Sequence, residues 1–547
     1  MMGRATRQSG FGLACLLSLA LLPAASAAQG DTQVPIPRFV AETKRAGIDH
    51  VYKGDFQFYT GGGVAAFDCD DDGLDELYFA GGSNSAALYH NDSKVGGSLR
   101  FSRLKDPATD LDSVTGAYPL DIDGDGTTDL VVLRYGENVL LRGLGNCRFE
   151  RANETWSFAG GNEWTTAFSA TWEGGAALPT LAIGNYVDES GDQPCLDDEL
   201  VRPAASGSTY APALPLQPSW CALSMLFSDW DRSGRADLRI SNDRQYYPAD
   251  EGQEQLWRVA AGEAPHLYAQ DEGWQRLQLN GMGIASYDLT GDGYPEVYLS
   301  NQGPNSLQTL ANGPAQPDYK DITIPRGVLA TNPTGDKTLP STSWHDEFAD
   351  VNNDGLIDLF VAKGNIDEMA TFAMKDPNVM FLGQPDGTFV DEAKAAGVLS
   401  TARGRGAALV DLNLDGLLDL VVSNRRANAE VWRNVGSGSA KRPAPMGDWL
   451  AVRLDQPGPN RDAIGALVEV KVGDTTVSRE LTIGGGDGGG QLGWIHFGLG
   501  STDATSAPEV RVQWPDMTWG PWLPVTPNTF VILDRATNQA QPWSPPG

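Results

Sequence analysis

The chain has 547 residues, 41% hydrophobic and 20% charged, which is ample for several packed cores and rules out wholesale disorder. Forty Lys and Arg against 71 Asp and Glu leave a net charge of −31, a field that repels phosphate backbones and anionic lipid and attracts cations. Nucleic acid and membrane surfaces are therefore excluded as partners, and 64 Gly, 34 Pro and 15 Trp favour a turn-rich strand protein over a helical bundle.

The N-terminus reads as a targeting segment. Arg4 and Arg7 precede an apolar run from Phe11 to Leu22 that ends in the small residues Ala25-Ser26-Ala27-Ala28. That order predicts a secretory signal peptide over 1–28, too short in its apolar part to span a bilayer. No later stretch is long and apolar enough to cross, so the expectation is an exported monomer, periplasmic or extracellular. The next segment, RFVAETKRAGI from Arg38, recurs as TFVDEAKAAGV from Thr388 and more loosely as YKDITIPRGV from Tyr319. It reads as an outer strand followed by a short turn.

From there one signal repeats six times: DCDDDGLDELYF, DIDGDGTTDLVV, DWDRSGRADLRI, DLTGDGYPEVYL, DVNNDGLIDLFV and DLNLDGLLDLVV. Each has the form D-x-[DNT]-x-[DS]-G-x-x-[DE] and runs into an apolar strand. A seventh copy, TWEGGAALPTLAIGN from Thr171, has lost the acids; with it, successive copies start 51 to 62 residues apart. Such a period predicts a blade-type array.

The loop spacing implies calcium. Positions 1, 3 and 5 of a tight turn aim oxygens inward, Gly at 6 permits the bend, 7 offers a carbonyl and 9 returns a carboxylate, the oxygen shell a hard cation needs. The candidate ligands are Asp68, Asp70, Asp72, Leu74 and Glu76 in the first loop and Asp121, Asp123, Asp125, Thr127 and Asp129 in the second. The third and fourth offer Asp229, Asp231, Ser233, Arg235 and Asp237, then Asp288, Thr290, Asp292, Tyr294 and Glu296. The last two offer Asp350, Asn352, Asp354, Leu356 and Asp358, then Asp411, Asn413, Asp415, Leu417 and Asp419. Position 12 is apolar in all six, which excludes the helical EF-hand. Up to six structural Ca²⁺ are expected, weaker at the third and fourth loops, where Ser233 and Thr290 replace acids. Mg²⁺, which prefers to keep its water ligands, fits less well.

Four of the five cysteines lie beyond the targeting segment, an even number that favours disulfides in an exported chain. Three connectivities are open. Cys195–Cys221 is preferred because it closes a Pro-rich insertion, which leaves Cys69–Cys147. After Lys441-Arg-Pro-Ala-Pro, alternating apolar residues at Val452, Leu454, Val468, Val470, Val472, Val510, Val512 and Trp514 predict a small β-sandwich. The run Gly484–Gly490 lacks the Lys and Thr of a phosphate cradle and reads as a flexible turn.

The loops resemble the FG-GAP/VCBS repeats of integrin-α-type β-propellers, above all in GMGIASYDLTGDGYPEVYLSN and GRGAALVDLNLDGLLDLVVSN. The segments DWLAVRLDQPGPNRDAIGALVEV, LGWIHFGLG and VRVQWPD resemble the ASPIC/UnbV domain. The order of the two is similar to that in bacterial relatives of the cartilage acidic protein family. The expected fold is all-β: a seven-bladed β-propeller with calcium loops over 29–440, closed by the N-terminal strand 38–49, then an ASPIC/UnbV-like β domain over 446–536 and a tail over 537–547.

Function is less defined. No nucleophile elbow, zinc-binding His pair or nucleotide loop is present, and His50, His90, His266 and His496 sit singly. One cluster stands out: the inner-strand segment Ser343–Glu347 is charged and aromatic where other blades carry small residues. His345 and Asp346 as acid and base, or Arg403 and Arg405 as anion anchors, are the channel candidates. The favoured reading is a calcium-stabilised binding module that engages a protein or glycan through its propeller face, with loops such as Val187–Ser219 as contacts. The alternative is a carbohydrate-active enzyme, of lyase or dehydratase type, with its site in the central channel.

Overall fold

The computed structural model describes residues 34–188, 194–248, 250–330, 339–503 and 506–545. The expected signal peptide, 1–28, lies outside the described residues.

Nine sheets form among the described residues, and seven share one plan. In each, an inner strand runs into an acidic or degenerate turn and returns as a second strand, followed by two outer strands. The inner strands, in chain order from sheet 1 to sheet 7, are Val64–Phe67, Val114–Leu120, Thr165–Thr171, Ala222–Ser228, Gly281–Tyr287, Ser343–Ala349 and Arg403–Val410. Each packs against the next and the seventh against the first, which closes a propeller-like ring. Closure explains the composition of these strands. Val114–Leu120 and the Asp129–Arg134 strand beside it are buried on both faces, so the middle of the second, Leu130–Leu133, reads as a continuous apolar run and not as an alternating one.

The ring joins end to beginning. Phe39–Ala41 pairs antiparallel with Glu430–Asn434, Phe39 opposite Asn434 and Ala41 opposite Trp432, as the outer strand of sheet 7. The residues that follow, Thr43–Ala46, make one helical turn stopped by Gly47 at φ 86°. Thr323–Arg326 with Gly327 and Ala393–Ala396 with Gly397 repeat the device, so all three copies of the RFVAETKRAGI pattern fold alike. Glu42 locks the joint: its carboxylate faces the buried Arg433 guanidinium at 3.3 Å and accepts the Leu99 N–H at 2.9 Å. Two disulfides are present, Cys69–Cys147 between sheets 1 and 2 and Cys195–Cys221 across the insertion of sheet 3.

The two remaining sheets form the C-terminal domain. Asp448–Asp455, Ile495–Gly500, Thr529–Asp534 and Gln539–Trp543 make one, Leu467–Val472, Thr475–Glu480, Glu509–Gln513 and Leu523–Pro524 the other. Leu450, Val452, Val468, Val470, Val510 and Val512 fill the core between them. The domain extends past the expected boundary at 536. Gln539–Trp543 is an edge strand and not a tail, anchored because Trp543 packs on Trp494 and Phe530.

Candidate functional site

The six acidic turns share one geometry. In each, the position-1 carboxylate accepts the N–H of the position-6 glycine at 2.7–2.9 Å, from Gly73, Gly126, Gly234, Gly293, Gly355 and Gly416. Those glycines all sit at φ 82–90°, a region closed to most side chains, which is why position 6 admits nothing else. In five turns the position-9 carboxylate accepts the N–H of position 2, at 2.7–3.1 Å. These bonds fold the backbone around a knot of carboxylates that burial alone destabilises. Asp121 is raised to about 7, Asp129 and Asp411 to about 8 and Glu76 to about 9, with desolvation the leading cause in each.

The donor set suits Ca²⁺ in some turns and not others. In the first, single oxygens of Asp68, Asp70 and Asp72 lie within 4.8 Å of one another; in the second, those of Asp121, Asp123 and Asp129 do. The fifth and sixth pair two carboxylates with Asn352 or Asn413 and keep Asp358 or Asp419 at the base. The third is already neutralised. Arg235, at position 7, reaches Asp237 at 2.8 Å, and the Trp230 indole and Tyr268 hydroxyl also donate to that carboxylate. In the fourth, Glu296 accepts from the hydroxyls of Thr290 and Thr309 and from two backbone N–H groups. The degenerate turn of sheet 3 replaces a cation with Arg202, whose guanidinium grips Glu173 at 2.7 and 2.8 Å. His90, read from the sequence as ordinary, bridges Asp70 and Asp92 at 3.0 Å each beside the first turn.

These turns carry the C-terminal domain. Arg453 reaches Asp68 at 3.3 Å, Glu480 pairs with Arg232 at 2.8 Å, and His496 contacts the Asn353 carboxamide at 2.7 Å. The ring face at the other ends of the inner strands carries none of these contacts.

From that domain one loop enters the ring, and it is the glycine run. Ile483 accepts the Ala170 N–H from sheet 3, Gly485 donates to Met225 of sheet 4, and Gly486 donates to Ile284 of sheet 5. The Asp487 N–H meets His345 Nδ1 of sheet 6 at 3.2 Å. Gly488 then accepts from Ala117 of sheet 2 and Gly490 from Ala66 of sheet 1, and Gln491–Leu492 joins sheet 1 as a fifth, parallel strand. The segment therefore passes from sheet to sheet inside the channel. A Cβ on Gly489 would lie 2.1 Å from the Val64 carbonyl oxygen, so only glycine passes there. The flexible turn expected from the sequence is a buried plug, ordered because the inner strands supply partners to a backbone with no side chains to keep it away.

The channel candidates are placed around this plug. His345, 5% exposed, lies between the Asp487 N–H and Glu347, 3.5 Å away. Asp346 is 2% exposed with no donor on either carboxylate oxygen, and burial raises its pKa well above the usual range. Arg405 is not an anion anchor. It is fully buried, stacks 3.8 Å over Trp344, and spends its N–H groups on the carbonyls of Tyr59, Gly404 and Ile366. Burial lowers its pKa to about 9. Arg403 is paired with Asp367 and Glu368 at 3.2 and 3.4 Å. Asp487, which the sequence did not single out, carries the charge opposite Arg405; burial raises it to about 6 against the pull of Arg405 and His345. A cavity of about 220 Å³ remains between the plug and the C-terminal domain, lined by His345, Asp346, Glu347 and Arg479 among others.

Comparison with known proteins agrees with the repeats and the plug-bearing domain. The FG-GAP-like repeat model matches residues 68–132 and 350–422, and the ASPIC and UnbV model matches 456–540. The chain carries FG-GAP-like repeats and an ASPIC and UnbV domain at those positions. It is similar to cartilage acidic protein 1 of Mus musculus, 28% identical over 195 residues that cover 34% of this chain and 27% of that one. The Xenopus tropicalis protein of the same name is 24% identical over 258 residues, 45% of this chain and 37% of its own. These matches thus span well under half the length of either relative. Among solved structures, BBS1N in complex with ARL6DN aligns at 10% identity and a TM-score of 0.39, over 72% of this chain and 96% of that one. An Agrocybe aegerita lectin that recognises non-reducing terminal N-acetylglucosamine aligns at 15% identity and a TM-score of 0.36, over 71% and 94%.

Proposed function

We propose that this protein is an exported, calcium-stabilised binding module. In this reading the seven sheets are the blades of a β-propeller that engages a protein or glycan through the face opposite its C-terminal domain. The observation that carries the reading is the plugged channel: the Gly484–Gly490 loop fills the place where a propeller usually holds its ligand and moves recognition to the open face. It also weighs against the channel-enzyme alternative, because Arg405 is committed to backbone carbonyls and His345 to the plug. Export is supported by the two disulfides, and no helix among the described residues is long and apolar enough to cross a membrane.

Calcium in this reading is structural. The first, second, fifth and sixth acidic turns would hold it through side-chain oxygens at positions 1, 3, 5 and 9 and the carbonyl at 7; the third and fourth have protein donors in its place. The ion would offset the repulsion among buried carboxylates and so hold each first hairpin closed. Metal stoichiometry and melting of the mature chain test this together. Four bound Ca²⁺ and a loss of Tm in chelator are expected. No bound calcium and an unchanged Tm would remove the metal assignment.

A further inference from the structure

On the open face, between sheets 2 and 3, lies a basin of about 560 Å³ that takes in the start of the Val187–Ser219 loop. Its walls are aromatic. Phe56, from the loop that precedes sheet 1, and Tyr135, at the end of the second strand of sheet 2, both stand edge-on to Trp164, with ring centroids 5.3 and 6.1 Å from it. Its rim is polar: Gln57 and Asn162 contribute amides, Glu163 and Asp188 carboxylates, and no Lys, Arg or His lines it. Two details point to a ligand. Tyr135 is 45% exposed, a large ring left open to water on an otherwise packed face. The Trp164 indole N–H, on a residue 2% exposed, has no acceptor, although buried donors are nearly always paired.

We propose that this basin binds a neutral pyranose oligosaccharide, with one sugar ring stacked on Tyr135 and Phe56 and its hydroxyls shared among Gln57, Asn162, Glu163 and the Trp164 N–H. The chemistry selects this class over its neighbours. A rim without cations and with two carboxylates disfavours phosphate, sulfate and uronate groups. A flat ring beside hydrogen-bonding groups of both polarities suits a sugar, which presents an apolar C–H face and a polar edge. The size falls within the usual range of ligand sites. The proposal rests on the open face being the binding face.

The test titrates the full mature chain, with calcium present, with cellohexaose, chitohexaose, mannohexaose and maltohexaose, read by calorimetry and tryptophan fluorescence. Choline and a heparin hexasaccharide serve as charged probes. At least one neutral hexasaccharide is expected to bind; Tyr135→Ala should weaken it tenfold or more and Tyr135→Phe less than threefold, with Tm within 2 °C of wild type in both. No binding of any neutral probe, tighter binding of choline or heparin, or saccharide binding indifferent to Tyr135→Ala would each overturn the assignment. A protein partner captured on the open face whose binding survives Tyr135→Ala would overturn the saccharide site while leaving the binding-module reading intact.

Discussion

Two kinds of glycine-rich loop hold this molecule together, and they work in opposite ways. The six acidic turns each use one glycine, at φ 82–90°, to gather carboxylates around a point. The Gly484–Gly490 loop uses many glycines to remove side chains, so that a bare backbone can pass from one inner strand to the next. The first kind concentrates charge and leaves it to be neutralised. The second carries one charge, Asp487, and takes its order from hydrogen bonds to sheets 1 to 6. The turns close individual hairpins, whereas the plug ties the ring to the C-terminal domain.

Calcium removal should separate the two most strongly. With four turns occupied at tenfold excess over Kd, bound ions contribute about 6 kcal/mol in all by mass action, enough to lower Tm by about 5 °C in a chain of this size. A chelator titration followed by calorimetry checks it. Protection of the plug backbone from hydrogen exchange should outlast that of the acidic turns as calcium is withdrawn; simultaneous loss would show that the two kinds of loop depend on the same ion.

Gly489→Val attacks the other side. Its Cβ would fall 2.1 Å from the Val64 carbonyl oxygen and 2.9 Å from the Val64 amide nitrogen, both backbone atoms that cannot step aside. Expulsion or strain should cost about 3 kcal/mol, with new protease cleavage between 484 and 490 and no change in calcium stoichiometry. Wild-type stability in this variant would mean that the loop is not seated in the channel.

Repetition decided what could be read before the fold was known. An acid at position 1 is uninformative once; six copies with Gly at 6 and Asp or Glu at 9 expose both the turn and its spacing. The outer-strand segment at Phe39 was legible for the same reason, because Thr388–Val398 and Tyr319–Val328 repeat it. The plug occurs once, and glycine announces only what is absent. Its partners are backbone groups of five sheets and the His345 imidazole of a sixth, which no local pattern encodes. Asp487 was passed over because its significance comes from Arg405 and His345, residues 82 and 142 positions away. In the third turn, Arg235 falls at the position that lends a calcium loop only its carbonyl, so the spacing did not reveal that its side chain pairs with Asp237.

Asp487 offers a smaller, pH-dependent contrast. Burial raises its pKa from 3.8 to about 6, so folding favours its protonated form. Stability from this group is present below pH 4 and is lost as the pH rises to 6, by no more than about 3 kcal/mol. Asp487→Asn should therefore gain on wild type between pH 4 and 6 and hold a constant difference above. Parallel Tm profiles across that window would show that Asp487 is more exposed to water than the plug geometry allows.

The mildest change tests whether a turn can be moved from one class of neutralisation to another. Arg235 supplies a guanidinium to Asp237 at 2.8 Å in the third acidic turn while Asp229 and Asp231 remain in place. Its side chain is about a third exposed, so Arg235→Ala should shift stability by less than about 1 kcal/mol in the absence of calcium. Loss of the built-in cation leaves one oxygen of Asp237 with only the Val259 N–H at 3.4 Å, while the Trp230 and Tyr268 donors still hold the other. One additional, weak calcium should then bind at millimolar concentration, seen as a fifth ion by equilibrium dialysis and as a calcium-dependent rise in Tm beyond that of wild type. An unchanged stoichiometry would place the block elsewhere, at Ser233 or at the Glu480–Arg232 contact that pins this turn to the C-terminal domain.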